Sequence, residues 1–316
     1  MNNDKIIDWL LKGDVSIQYQ VYRDLILTER NDLQDRIAKE GWGAQFLSKR
    51  KSDGHWGMKF YQPKWTSSHY TLLDLRNLCI APDNPLIRES LEIIVNNEKG
   101  KDGGINPAGS VQVSDVCMNG MFLNYASYFK TNEEKLESIV DFILSQHMDD
   151  GGFNCRFNRS GAVHSSLHST LSVLEGITEY ERNGYNYRLE ELNDVKKSSI
   201  EFILLHQLFR SDRTGKIINN AFLKLSYPCR WRYDILKALD YFKLAGTQWD
   251  NRMKPAIEVL FKKQNKDSSW NVQAKHPGQL HFEMEKPGKP SRWNTLRVLR
   301  VLKHFEINSS TAEEYS

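Results

Sequence analysis

The stretch Glu133–Asn154, EEKLESIVDFILSQHMDDGGFN, decides the fold. Leu136, Ile139, Val140, Ile143 and Leu144 recur at alternating spacings of three and four, so one face of a helix is apolar. An Asp-Gly turn then supplies a helix stop, and an aromatic residue follows it. The turn recurs along the chain: SDGHWG from Ser52, KDGGIN from Lys101, DDGGFN from Asp149, KDSSWN from Lys266, and a degenerate SDRTGK from Ser211. After each turn comes a second helical stretch, apolar around most of its circumference: HYTLLDLRNLCI, MNGMFLNYASYF, LHSTLSVLEGI, WRYDILKALDYF and WNTLRVLRVLKHF. Helices of that kind are buried between other elements. NDKIIDWLLKG followed by SIQYQVYRDLIL makes a further pair without the glycine motif. An outer amphipathic helix paired with an inner buried one, six times over, predicts an all-α (α/α)6 toroid whose inner helices line a central cavity. The expected layout is a single domain over residues 1–306 with a frayed tail over 307–316. An open helical solenoid is the alternative, but it has no need of glycine turns along one rim. LHFEME, residues 280–285, alternates and predicts a short strand.

The bulk numbers narrow the function. The 316 residues are 40% hydrophobic with a net charge of +3, which gives no reason to expect nucleic acid. No apolar run approaches the roughly 18 residues that cross a membrane, and IIDWLL is too short and too acidic for a signal peptide. Cys79, Cys117, Cys155 and Cys229 are scattered rather than set in a disulfide framework, which points to a reducing, cytoplasmic setting.

Two stretches carry chemistry. Asp115-Val116-Cys117 heads the third inner helix, and His168-Ser-Thr-Leu-Ser-Val-Leu-Glu-Gly176 lies on the next one. Together with the repeated turn, they resemble the terpene cyclase and protein prenyltransferase β-subunit superfamily, an α/α-toroid fold. Asp115-x-Cys117 is similar to that family's Asp-x-Cys zinc motif. The His168 segment is similar to the one supplying the zinc histidine, with one extra residue before the glycine. The resemblance implies zinc, held by Asp115, Cys117 and His168. Thiolate, carboxylate and imidazole are ordinary zinc ligands, and three of them with an open position mark a catalytic site. Cys155 and His164 compete for the fourth position; a bound Cys155 would make the site closed and structural. Each residue also has a plain reading, as a helix cap (Asp115), an inert buried thiol (Cys117) or a core histidine (His168). Asn119 and Asn154 are candidates to orient the ligands, and His69 fits the core as well as a site. Other family signatures are missing. Gln112, Gly109 and Met118 stand where prenyltransferases place two basic residues and a tyrosine, and the terpene cyclase Asp-x-Asp-Asp acid is absent.

A second recurring feature is proline, a cation and tryptophan: Pro63-Lys64-Trp65, Pro228-Cys-Arg230-Trp231 and Pro290-Ser-Arg292-Trp293. Proline suits the first turn of a helix. Lys64, Arg230 and Arg292 are expected to converge on one wall of the mouth and hold a phosphate or carboxylate, with Trp65, Trp231 and Trp293 as flat platforms. The alternative is that each indole plugs a hairpin junction and each cation pairs with a local acid. His281, Glu283 and Glu285 would share one face of the predicted strand. There they would do general acid–base work or pair with the arginines.

These readings converge on a metal-assisted enzyme with a small anionic or partly apolar ligand in its cavity. One rival is a carbohydrate-active enzyme using paired carboxylates such as Glu283 and Glu285 or Asp53. Another is a non-catalytic binding toroid stapled by zinc.

Overall fold

A computed structural model describes residues 3–107, 112–156, 160–273 and 276–307. Gly109 of the missing basic-residue pattern and residues 308–316 of the expected tail lie outside the described residues. The chain runs α1 (Asn3–Leu11), α2 (Val15–Val21, continuing in a wider turn over Tyr22–Ile26), α3 (Asn31–Arg36), α4 (Gly41–Leu47), α5 (Ser68–Asn77), α6 (Pro85–Asn97) and α7 (Val116–Tyr128). It continues through α8 (Glu133–Ser145), α9 (Leu167–Arg182), α10 (Leu189–Leu205), α11 (Ile235–Leu244), α12 (Lys254–Lys262) and α13 (Arg292–His304). Its one two-stranded sheet among the described residues pairs Trp270–Asn271 with Pro290–Ser291, antiparallel.

The repeated turn joins each outer helix to the next inner one through a fixed set of contacts. In the α8 copy, Asn132 caps the helix by accepting the Glu134 amide. Leu136, Ile139, Val140, Phe142 and Ile143 are buried. Gly151 then takes φ +90°, a left-handed conformation open to glycine. A Cβ on Gly152 would stand 2.6 Å from Thr170 Oγ1, so the second glycine is required by close packing. The large apolar residue after the turn, aromatic in three copies and Ile105 in the other, drops into the core, and its amide donates to a polar side chain at the start of the following inner helix. Trp56 donates to Ser68 (3.0 Å), Ile105 to Asn119 (2.7 Å), Phe153 to Thr170 (3.0 Å) and Trp270 to Thr295 (3.0 Å). The motif Asp fastens the same junction: Asp102 accepts the Ser114 amide and Asp150 the Ser165 amide, both at 2.7 Å. The sequence motif is therefore a hairpin clasp.

Inner helices neighbour one another in chain order, α5 on α7, α7 on α9, α9 on α11 and α11 on α13. Helix α13 packs back onto α2, and Gln20 of α2 donates to the Asn77 carbonyl at the end of α5 (3.0 Å). The tightest crossing is α7 on α9, where a Cβ on Gly176 would stand 2.4 Å from the Gly120 carbonyl oxygen. Backbone meets backbone there, so the glycine that ends the His168 segment is a packing residue.

Two local expectations are corrected. Residues 280–285 form no strand; Phe282 packs its ring 4.5 Å from Phe46 and the segment runs irregularly. Nor do the prolines open helices. Pro63 precedes a short turn before α5, Pro228 stands well before α11, and Pro290 is in the strand ahead of α13. Of the tryptophans that follow, Trp65 and Trp293 are buried and Trp231 is half-buried.

Candidate functional site

The C-terminal halves of the inner helices enclose a cavity of about 390 Å³, within the range of small-molecule sites. Its walls carry eight cationic side chains: Arg23, Arg76, Arg182, Arg230, Lys237, Lys243, Arg297 and Arg300. Against them stand four carboxylates, Asp24, Glu175, Glu179 and Asp240. Tyr128, Tyr227, Tyr241, Asn77 and Asn124 add polar groups, and Trp293 offers a ring stacked 4.9 Å from Tyr227.

Where α2, α11 and α13 meet, two aspartates serve four cations. Asp24 accepts from Arg23 (2.8 and 2.9 Å) and Arg300 (2.9 Å), with Lys243 at 3.5 Å. Asp240 accepts from Arg297 (3.1 Å) and twice from Arg300 (2.5 Å each). Burial by itself would raise both acids, but these guanidinium neighbours hold them below the usual carboxylate range. Both stay ionised, and two positive charges in this cluster remain without a carboxylate each. Lys237 pairs with Glu175 at 2.9 Å, and Arg76 pairs with Glu179. Among the described residues, Arg76 Nε and Arg230 Nε are buried donors without a hydrogen-bond partner, and Asn124 Oδ1 is a buried acceptor without one. Such groups cost free energy until something meets them.

Residues 227–230 form one wall of the cavity and part the ring interior in two. A second hollow of about 30 Å³ lies behind them, against Phe46, His276 and residues 280–285. Arg230 borders both spaces. It is 6% exposed and pairs with Asp74 at 3.5 Å. Burial pushes the Asp74 carboxyl up to about 6, although Arg230 opposes this. Burial also pushes the Cys229 thiol up to about 12, so it is no ready nucleophile.

The residues expected to hold zinc are not brought to one point. Cys117 and Cys155 are joined as a disulfide, so neither offers a thiolate. His168 accepts the Tyr233 amide at Nδ1 (2.8 Å) and packs its ring 5.1 Å from Trp231 and 5.2 Å from Phe222. Burial, with Lys237 and Arg232 nearby, lowers it to about 4. His164 has a 69% exposed side chain, 4.0 Å from Asp150. Asp115 immediately precedes α7 and acts electrostatically on Lys64. Among the described residues, no group of three or more His, Cys, Asp or Glu side chains is placed to hold a metal. As arranged, this donor set does not fit a tetrahedral zinc site. Asn119 bonds Ile105 and the Asp115 carbonyl, and Asn154 bonds the His164 carbonyl, so both hold backbone. His69 is a core residue, bonded to Tyr125 at 3.0 Å.

Of the proline–cation–tryptophan residues, Lys64, Trp65, Arg230 and Trp231 do come together. Lys64 Nζ lies 5.0 Å from each indole and Arg230 lies 4.7 Å over Trp65. Arg292 does not join them: it stacks 4.6 Å over Trp9 and donates to the Trp9 carbonyl (3.0 Å), fastening α13 to the first hairpin. Trp293 faces the large cavity instead. His281 bonds Thr71 (3.0 Å), and burial lowers it to about 4. Glu285 accepts the Ser291 hydroxyl and the amides of Arg292 (2.7 Å) and Trp293 (3.2 Å). It thereby caps α13. Glu283 borders the small hollow. The cavity cations other than Arg230 went unnoticed in the sequence. Their signal is charge on otherwise buried helices, such as Arg297 and Arg300 three apart in RVLRVLK.

No family model and no curated protein sequence matches this chain. Solved structures do. A polysaccharide lyase superposes with TM-score 0.51 and 13% identity, covering 96% of this chain and 97% of the lyase. A glycosyl hydrolase family 88 protein from Bacteroides vulgatus gives 0.49 and 12%, over 92% of this chain and 89% of its own. A type II terpene cyclase from Scytonema, solved with geranylgeranyl dihydroxybenzoate, gives 0.43 and 11%, over 92% and 87%. The likeness to the lyase is one of fold, and it places this mostly helical chain among the α/α-toroid architectures. No helix among the described residues is long and apolar enough to cross a membrane.

Proposed function

We propose that the protein is an enzyme acting on a small acidic saccharide or a similar hydroxyl-rich anion, bound in the central cavity of a closed ring of six hairpins. The observation that carries this reading is the excess of cations over carboxylates lining the cavity among the described residues: eight against four. A carboxylate on the ligand would be drawn to the net positive charge that Asp24 and Asp240 leave on the cluster of Arg23, Lys243, Arg297 and Arg300. Sugar hydroxyls would find Asn77, Asn124 and the tyrosines. Neutralising a carboxylate makes the neighbouring C–H more acidic, so the same cluster would favour elimination by a nearby base. Glu175, beside Lys237, is the candidate base or acid, with Tyr241 as its hydroxyl neighbour across the cavity. The polysaccharide lyase supports the architecture of this reading and not its chemistry.

The test is calorimetric titration with glucuronate and galacturonate beside glucose and galactose, followed by incubation with acidic oligosaccharides. Unsaturated products would be read in the ultraviolet and new reducing ends chemically. Uronates should bind and neutral sugars should not, and Arg300→Met should weaken binding at least tenfold, about 1.4 kcal/mol. Equal binding of neutral sugars, or full affinity in Arg300→Met, would sink the proposal.

A further inference from the structure

On the far side of the wall formed by residues 227–230, a second group of cations gathers at the N-terminal rim of the inner helices. Trp65 is its hub. Arg230 lies 4.7 Å over the indole, Lys64 lies 5.0 Å from it, and the His276 ring stands 6.3 Å away. Trp65 itself is fixed by donating to the Pro277 carbonyl (2.6 Å). Trp231 extends the group, with Lys64 at 5.0 Å and Arg232 at 5.1 Å from its ring. Among the described residues, four buried nitrogens here have no hydrogen-bond partner: Arg230 Nε, Trp231 Nε1, Arg232 Nε and His276 Nε2. Arg230, Trp231 and Arg232 are consecutive, and Arg230 and His276 both stand beside Trp65, whereas buried polar groups in a settled interior are bonded. The opposing acids are Asp74, which faces Arg230, Asp115, which acts on Lys64, and Glu283 and Glu285, which border the small hollow with Arg230 and His276; Glu285 is taken up by Ser291 and the amides of Arg292 and Trp293. Arg232 and Arg230 together hold His276 down after burial has lowered it, which places all three within electrostatic reach.

We infer that this rim is an anion-binding site separate from the central cavity, taking a small oxyanion, whether carboxylate, sulfate or phosphate, between Arg230, Arg232, Trp231 and His276. The donors are N–H groups of guanidinium and indole, which suit oxyanion acceptors. Lys64 closes the outer side as a mobile point charge. The inference stands on different residues from the central cavity, Arg230 excepted, and does not depend on what the cavity binds.

The experiment is a titration of the whole protein, labelled with nitrogen-15 at the indoles, with sodium sulfate and separately with sodium acetate at constant ionic strength. Trp231→Phe identifies the Trp231 indole resonance. The expected result is a saturable shift of that resonance, weakened at least tenfold in Arg232→Gln and kept in Arg300→Met, which alters only the central cavity. Tighter sulfate than acetate would assign the site to tetrahedral anions, and the reverse order to carboxylates. If Arg232→Gln fails to fold, His276→Gln serves as the second variant, with the same expected weakening. Absence of a saturable Trp231 shift, or equal affinity in a folded Arg232→Gln or His276→Gln protein, overturns the inference. Loss in Arg300→Met with no loss in Arg232→Gln would mean that the anion sits in the central cavity alone.

Discussion

Replacing Asp240 by Asn tests the charge arithmetic of the cavity. The substitution keeps the size of the side chain and removes one buried negative charge. Asp240 now accepts one bond from Arg297 and two from Arg300, at 3.1, 2.5 and 2.5 Å. Without its charge, Arg297 loses its carboxylate, and Arg300 keeps only Asp24 (2.9 Å) and Gln20 (3.0 Å). Breaking a buried ion pair by removing one partner costs about 3–5 kcal/mol. Because Asp24 still compensates Arg300, the lower end applies, about 3 kcal/mol. For a chain of 316 residues that is a fall in melting temperature of ~4–5 °C. The cavity also becomes more positive, so added anion should recover more stability in the variant than in the wild type. At about a hundred times its dissociation constant, a bound anion contributes about 2.7 kcal/mol. The assay is differential scanning calorimetry at neutral pH with increasing sodium sulfate, using sodium chloride at matched ionic strength as control. A variant melting within about 1 °C of wild type, with the same response to sulfate, would refute the reasoning.

Other outcomes follow from the same structure. Asp74 rises from 3.8 to about 6 on burial, so the folded state holds its proton more tightly than the unfolded chain does. Its contribution is present at low pH and is lost as pH rises from about 4 through 6, by about 3 kcal/mol; Asp74→Asn should flatten that part of a stability–pH curve measured by urea unfolding. Gly176→Val would push side-chain atoms against the Gly120 carbonyl, where even a Cβ stands 2.4 Å away. It should leave little soluble protein, with circular dichroism of any recovered material showing loss of helix. Glu285→Gln should cost about 1 kcal/mol of stability as a weakened cap on α13 and leave turnover of any substrate unchanged. Alkylation in denaturant without reductant should label Cys79 and Cys229 alone, and all four cysteines only after reduction, as read by mass spectrometry of the peptides.

Much of the architecture was legible because it repeats. A one-faced helix, an Asp-Gly turn and a buried helix leave a periodic pattern, and the clasp residues Trp56, Ile105, Phe153 and Trp270 fall at the same place in each turn. The site was less legible, for physical reasons. Asp115, Cys117 and His168 match a zinc pattern in order and spacing, but spacing does not fix where a side chain turns. His168 turns to the Tyr233 amide, and Cys117 to Cys155. The alternation of residues 280–285 reads as a strand, yet Phe282 finds Phe46 and Glu285 finds a helix end, and these tertiary contacts outweigh local preference. Cavity cations are hidden differently. Arg76 and Lys243 lie in the last turns of their helices, where basic residues are common for dipole reasons alone, and Arg297 and Arg300 lie within α13 among apolar neighbours. Only the ring brings them face to face.

The central claim is that the large cavity holds an anion among Arg23, Arg297 and Arg300. Crystals of the whole protein grown without sulfate or phosphate and soaked in selenate would test it through the anomalous signal of selenium. The account predicts a strong peak within hydrogen-bonding distance of the Arg297 and Arg300 guanidinium groups, absent in Arg300→Met. Peaks confined to the outer surface, with none in the cavity, would contradict it.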